Sequence, residues 1–205
     1  MPVQTVTATS MAFESPTTVY TQYGQNDARH VYVGAFTTVA SDTPDSFLAW
    51  CVDIFQRTFF GSTATDFDRK TASAAQLAPK TALLNTLASQ SLADVQNSLT
   101  SAAFQLAVWE IVNETSSIYD FTSGSFRATN ASDGSIVLAQ QWLDTLPNAS
   151  AAPFYNVSIL ESASRQDLAV FTKVPVFADV PEPSSIAVML AGLMGYALTR
   201  RKFSK

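Results

Sequence analysis

The chain holds one cysteine, Cys51, and one histidine, His30, so nucleophilic chemistry rests on a single thiol with few groups to activate it. Cys51 sits in Phe47-Leu48-Ala49-Trp50-Cys51-Val52-Asp53-Ile54-Phe55, a run apolar on both sides that predicts an interior strand. Period two puts Cys51 on a face with Ala49 and Asp53 and turns Trp50, Val52 and Ile54 the other way. Gln105 is out of place by its polarity. It lies inside Ala102-Ala103-Phe104-Gln105-Leu106-Ala107-Val108-Trp109-Glu110-Ile111, which reads as a helix apolar on nearly every side. Its face also carries Ala102, Val108, Trp109 and Val112. Leaving that amide unpaired in a core costs about 1 to 3 kcal/mol. Either it binds a nearby backbone loop or it takes part in chemistry.

Composition narrows the chemistry. One cysteine permits no intramolecular disulfide and no CxxC motif, and one histidine leaves too few soft ligands for zinc, so neither metal nor cofactor is expected. A Cys51/His30 hydrolase is a poor reading, because no oxyanion signature stands out and His30 belongs at a strand start beside the turn residues Gly24, Asn26 and Asp27. Asp53 suits either a proton relay or an ordinary hydrogen bond to a loop. Before Ser184 there are eight basic residues against seventeen acidic ones, a net of −9, which disfavours nucleic acid or anionic lipid as a partner.

The elements that must position these residues follow from pattern. Val3–Thr7, Thr17–Tyr20 and Val31–Phe36 alternate and are rich in Thr and Val, as antiparallel strands are. The stretch 61–68 reads as a polar connection, and 71–77 and 80–88 as helices interrupted at Pro79. The Gln105 helix is expected to start at the Ser91-Leu92-Ala93-Asp94 capping box or near Ser98. A Ser/Thr/Gly-rich loop over 113–133 leads to an amphipathic helix, Ser135–Leu146, stopped by Pro147. Phe154–Leu160 and Leu168–Thr172 form a hairpin joined through Ser162 to Gln166. The order strands, helices, strands predicts an α+β domain with helices inserted into a mostly antiparallel sheet.

Residues 1–174 are thus one domain, 175–183 a proline-rich linker, and 184–205 an apolar segment with a basic end. Ser184 to Thr199 is uncharged and runs into Arg200-Arg201-Lys202, which predicts a short membrane helix. The sequence Val180-Pro181-Glu182-Pro183-Ser184-Ser185, with that helix and basic terminus, closely resembles the PEP-CTERM sorting signal of exported bacterial proteins. The resemblance implies a membrane transpeptidase of the exosortase class that recognises Pro181, Glu182 and Pro183, removes the helix, and releases or attaches the protein at the surface. The membrane contact through 184–199 is then transient. Met1-Pro2-Val3-Gln4 lacks the apolar stretch of a secretory signal, which departs from that family and points to a start assigned too late or a trimmed chain.

Phe104-Gln105-Leu106-Ala107-Val108-Trp109 resembles the apolar-Gln-x-x-apolar-Trp pattern of bacterial thioester domains, and Trp50-Cys51-Val52-Asp53 is similar to their cysteine segment. The resemblance implies that the Cys51 thiol attacks the Gln105 amide and expels ammonia. Trp50, Val108 and Trp109 are then expected to wall the bond from water, with Asp53 beside it. Two functions fit. One is an exported surface or matrix protein that captures amine or hydroxyl nucleophiles on a polysaccharide or protein, for adhesion, and turns over nothing, so it is no enzyme. The other is a non-covalent structural or biofilm matrix protein with an inert buried Cys51.

Overall fold

A computed structural model describes residues 4–13, 16–26, 28–56, 58, 65–72, 75, 77–129, 131, 133–146 and 154–175. The chain divides after Val174 into two units. Apart from Pro175, the second lies outside the described residues, and with it the expected motif Pro181-Glu182-Pro183 and the segment 184–199. No described helix is long and apolar enough to cross a membrane.

Six antiparallel strands close into a barrel in the order β1-β4-β5-β9-β8-β6. The strands are β1 (Gln4–Phe13), β4 (Phe36–Ala40), β5 (Phe47–Cys51), β6 (Thr65–Thr71), β8 (Tyr155–Glu161) and β9 (Leu168–Lys173). Closure falls to β1, whose first half pairs with β6 and whose second half pairs with β4, across an irregularity between Ala8 and Ser10. Closing the sheet removes the unpaired edges that a strand-rich domain otherwise exposes. A separate three-stranded sheet, ordered β3-β2-β7, is built from β2 (Thr17–Tyr23), β3 (Arg29–Val33) and β7 (Phe126–Thr129).

The helix α2 (Ser98–Asn113) packs against β5 of the barrel and all three strands of the small sheet. Its all-round apolar sequence follows from that position, since Ser101 to Ile111 are buried without a break. Asn97 caps it, accepting from the Thr100 amide in a capping box, so the helix starts at Ser98 while Leu92–Asp94 forms only a short 3₁₀ turn. The helices α1 (Ala78–Ser91) and α3 (Ser135–Thr145) flank it, with Pro79 in the first turn of α1 where its missing N–H costs nothing.

The α+β reading with mostly antiparallel strands is correct at this level. Several elements differ from expectation. The stretch expected as a loop and helix over 61–77 contains β6, a strand whose only apolar residue, Phe67, is 2% exposed while its polar neighbours face out. The single strand expected over 31–36 is two, β3 and β4, separated at Gly34. The loop expected over 113–133 contains β7. There, the Glu114 carboxylate accepts from the amides of Thr115, Ser116 and Ser125. It lies so close to Gly124, at φ 82, that a side chain there has no room.

Candidate functional site

Cys51 ends β5, and its surroundings are fixed by one strand pairing and one helix. In the β5–β9 ladder Cys51 stands opposite Leu168, and the next bond runs from the Val52 amide to the Asp167 carbonyl at 2.8 Å. Whatever occupies position 166 is therefore delivered beside Cys51. The turn before β9 is itself held by the Asp167 carboxylate, which accepts from the Ser162 amide at 2.8 Å. Burial pushes the Asp167 carboxyl above its ordinary range against that bond.

From the other side α2 supplies Gln105. Its Oε1 accepts from the Cys51 amide and its Nε2 donates to the Cys51 carbonyl, both at 2.8 Å. The amide thereby substitutes for a neighbouring strand at the end of β5, and the polar burial cost is answered by two backbone groups. One turn earlier, Ser101 Oγ accepts from the Ala35 amide at 2.8 Å. These side chains, at i and i+4, fasten two passing loops to one face of α2.

The thiol meets a different glutamine. Cys51 Sγ donates to Gln166 Oε1 at 2.9 Å, and the Thr58 hydroxyl donates to the same oxygen. Gln166 Nε2 donates to the Asp53 carbonyl, and Thr58 Oγ1 lies 4.0 Å from Sγ. The expected cross-link from Cys51 to Gln105 does not fit this geometry. Both polar atoms of Gln105 are engaged by the Cys51 backbone, while the sulfur faces the carboxamide of Gln166. Burial pushes the Cys51 thiol far above its ordinary pKa; the Asp53 charge adds to the rise and the Thr58 bond opposes it.

The remaining expected residues separate. Asp53 lies two residues past the end of β5: its carboxylate accepts from the Phe55 amide at 2.7 Å, and its backbone, not its side chain, reaches Gln166. Trp109 lines a cleft of about 520 Å³ that also reaches Cys51, Thr58 and Gln166. Trp50 instead stacks in an aromatic cluster with Phe104 and Phe171, at 4.8 and 5.7 Å between ring centroids. Val108 is core, and neither it nor Trp50 lines the cleft. His30 is exposed on β3, as expected for a strand start, yet it borders the same cleft.

Gln166 and Thr58 were not among the expected site residues. The available signal for Gln166 was a polar amide at the junction between a turn and the apolar run Leu168-Ala169-Val170, but its partner depends on which strand β9 pairs with.

Residues 179–202 match the family described as the PEP-CTERM protein-sorting motif, which indicates export and surface sorting. No curated protein matches the chain. Among solved structures, the chain is similar to the N-terminal domain of the Streptococcus pyogenes pilus tip adhesin Cpa, at 14% identity and a TM-score of 0.45 over 78% of this chain and 95% of that one. It is also similar to the N-terminal thioester domain of a surface protein from Clostridium perfringens, at 13% identity and a TM-score of 0.45 over 77% of this chain and all of that one.

Proposed function

We propose that this exported surface protein forms an internal thioester between Cys51 and Gln166 and uses it to attach covalently to a nucleophile on another surface or polymer. The observation that carries this reading is the 2.9 Å approach of the buried Cys51 sulfur to the Gln166 carboxamide oxygen. Sulfur attacks Cδ of Gln166, the C–N bond breaks, and the thiol proton leaves with the nitrogen as ammonia. Thr58, donating to Oε1, stabilises the oxyanion that develops there. Packing between β5 and the β8–β9 turn supplies the orientation that so poor a leaving group demands. The product removes a buried thiol and a carboxamide NH2 together. Each chain makes one bond and turns over nothing, and an exosortase-type transpeptidase handles the C-terminal signal, with the apolar segment 184–199 in the membrane only until it is cut.

A specific observation favours the second reading, an inert cysteine in a non-covalent matrix protein: burial holds the thiol protonated. Intact mass spectrometry separates the two. Fresh domain is expected to be lighter than its sequence by one ammonia, and methylamine is expected to add, freeing one thiol and leaving N-methylglutamine at position 166. Cys51→Ala and Gln166→Ala each give full mass and no adduct. Full mass and a titratable thiol in fresh wild type select the inert reading.

A further inference from the structure

The cleft above Cys51 and Gln166 has a charge composition unlike the rest of the domain. The chain before Ser184 carries a net of −9, yet the described residues lining this cleft include no carboxylate and do include Arg29 and His30. Its rim holds two aromatic rings, Tyr32 and Phe55, that are 63% and 62% exposed. Among the described residues they are the only exposed large apolar side chains that line this cleft; the others, Val39, Ile118, Val137 and Phe154, lie elsewhere. Trp109, on the same cleft, is only 4% exposed, and its Nε1–H has no acceptor among the described residues. That nitrogen is shielded from solvent, as is the unpartnered Trp50 Nε1 away from the cleft, so Trp109 offers the cleft its apolar ring rather than its donor.

These features discriminate between nucleophiles. A lysine side chain arrives as an ammonium ion, meets a guanidinium, and finds no carboxylate among the described lining residues. A neutral sugar brings apolar C–H faces for the aromatic rings and hydroxyl oxygens for Arg29. The rings are braced in advance: Phe55 packs edge-on against Tyr23 at 5.1 Å, and His30 edge-on against Tyr20 at 4.1 Å. An alcohol must also lose its proton as it attacks. Imidazole is the side chain that most often performs that task.

We infer that the cleft receives a neutral polyhydroxyl chain, a polysaccharide, and that His30 takes the proton from the hydroxyl that attacks the Gln166 acyl carbon. This rests on the thioester reading above. The hydroxyl oxygen forms an ester with the Gln166 acyl group, the C–S bond breaks, and the proton passes through His30 to the departing Cys51 sulfur. Ester and free thiol are the only products.

The test uses fresh domain carrying the ammonia-light mass, offered cellotriose, chitotriose or Nα-acetyl-lysinamide at equal concentration near neutral pH, with methylamine as the reference nucleophile. At least one trisaccharide is expected to add at its intact mass, about tenfold or more faster than the lysinamide, in a linkage cleaved by mild hydroxylamine. His30→Gln is expected to lower the ratio of trisaccharide to methylamine rate by about a hundredfold, the low end of what a general base contributes. Phe55→Ala is expected to raise the half-saturating trisaccharide concentration. Faster addition of the lysinamide, or an unchanged rate ratio in His30→Gln, overturns the inference while leaving the thioester standing. Full mass and no methylamine adduct in fresh wild type removes the thioester first.

Discussion

Cys51 is gripped by two glutamines, and their carboxamides meet it in different ways, one at the backbone and one at the sulfur. Gln105 comes from the middle of a buried helix and bonds only backbone, one donor and one acceptor at 2.8 Å each. Gln166 comes from a turn, presents its oxygen to the sulfur, and borders an open cleft. The contrast shows that burial of a polar side chain does not by itself mark chemistry. An amide saturated by fixed backbone holds the chain in place. An amide whose carbonyl meets a thiol and a hydroxyl, with a path to solvent in front, is the one the proposed thioester uses.

The largest effect that tests this division comes from Gln105. Gln105→Ala strands the Cys51 N–H and C=O in a buried setting, and each unpaired group costs about 1 to 3 kcal/mol, so about 2 to 6 kcal/mol of stability is expected to be lost. Gln166→Ala frees groups beside a cleft where water substitutes, and is expected to cost less than about 1.5 kcal/mol while abolishing the methylamine adduct. Urea unfolding of both variants, with mass analysis of any adduct, makes the comparison. A stable Gln105→Ala domain that has lost the adduct reverses the two roles.

How far the sequence led can be judged on the same two residues. Gln105 was legible because the anomaly is local: one amide among Ala102, Val108 and Trp109 on a 3.6-residue period contradicts its own helix. The alternative that it binds backbone also came from local chemistry, and the structure bears that one out. Gln166 was not legible because its role arises from the β5–β9 ladder, which brings Gln166 to a thiol 115 residues away in sequence. The barrel was hidden for the same reason. Its strand β6, Thr65-Asp66-Phe67-Asp68-Arg69-Lys70-Thr71, carries one apolar side chain and is a strand because β1 and β8 flank it.

A second prediction asks whether another buried polar side chain of α2 also serves the fold. Glu110 is buried, and its Oε1 accepts from the Asp120 amide at 2.8 Å. Burial raises its pKa to about 8 from an ordinary 4.5. The Asp120 amide and Lys80 oppose the rise, and the Glu114 and Asp120 charges add to it. The unfolded chain then ionises before the folded one. Stability is fully present below about pH 4.5 and is lost as pH rises through about 8. Wild type is expected to lose about 1 to 2 kcal/mol relative to Glu110→Gln between pH 5 and 8, less than full linkage because water and local relaxation screen the charge as it forms. Parallel pH profiles for the two proteins contradict it. Methylamine addition at neutral pH is expected to be equal in both.

The smallest effect distinguishes a helix-side clamp that water can replace from one that it cannot. Ser101 stands one turn before Gln105 on α2 and accepts from the Ala35 amide at 2.8 Å, just after the chain leaves β3. Its geometry matches that of the Gln105 clamp, but its surroundings differ. Ala35 and Ser101 both line a cleft of about 210 Å³ together with Leu48, Val95, Asn97 and Ser98, large enough for several waters. In Ser101→Ala a water molecule is expected to take the place of the hydroxyl on the Ala35 N–H, limiting the loss to about 1 kcal/mol. Hydrogen exchange at Ala35 checks this, because that amide is expected to exchange faster in the variant while Cys51 keeps its protection. A loss as large as that of Gln105→Ala means that solvent does not reach this face of α2, and the distinction between the two clamps then disappears.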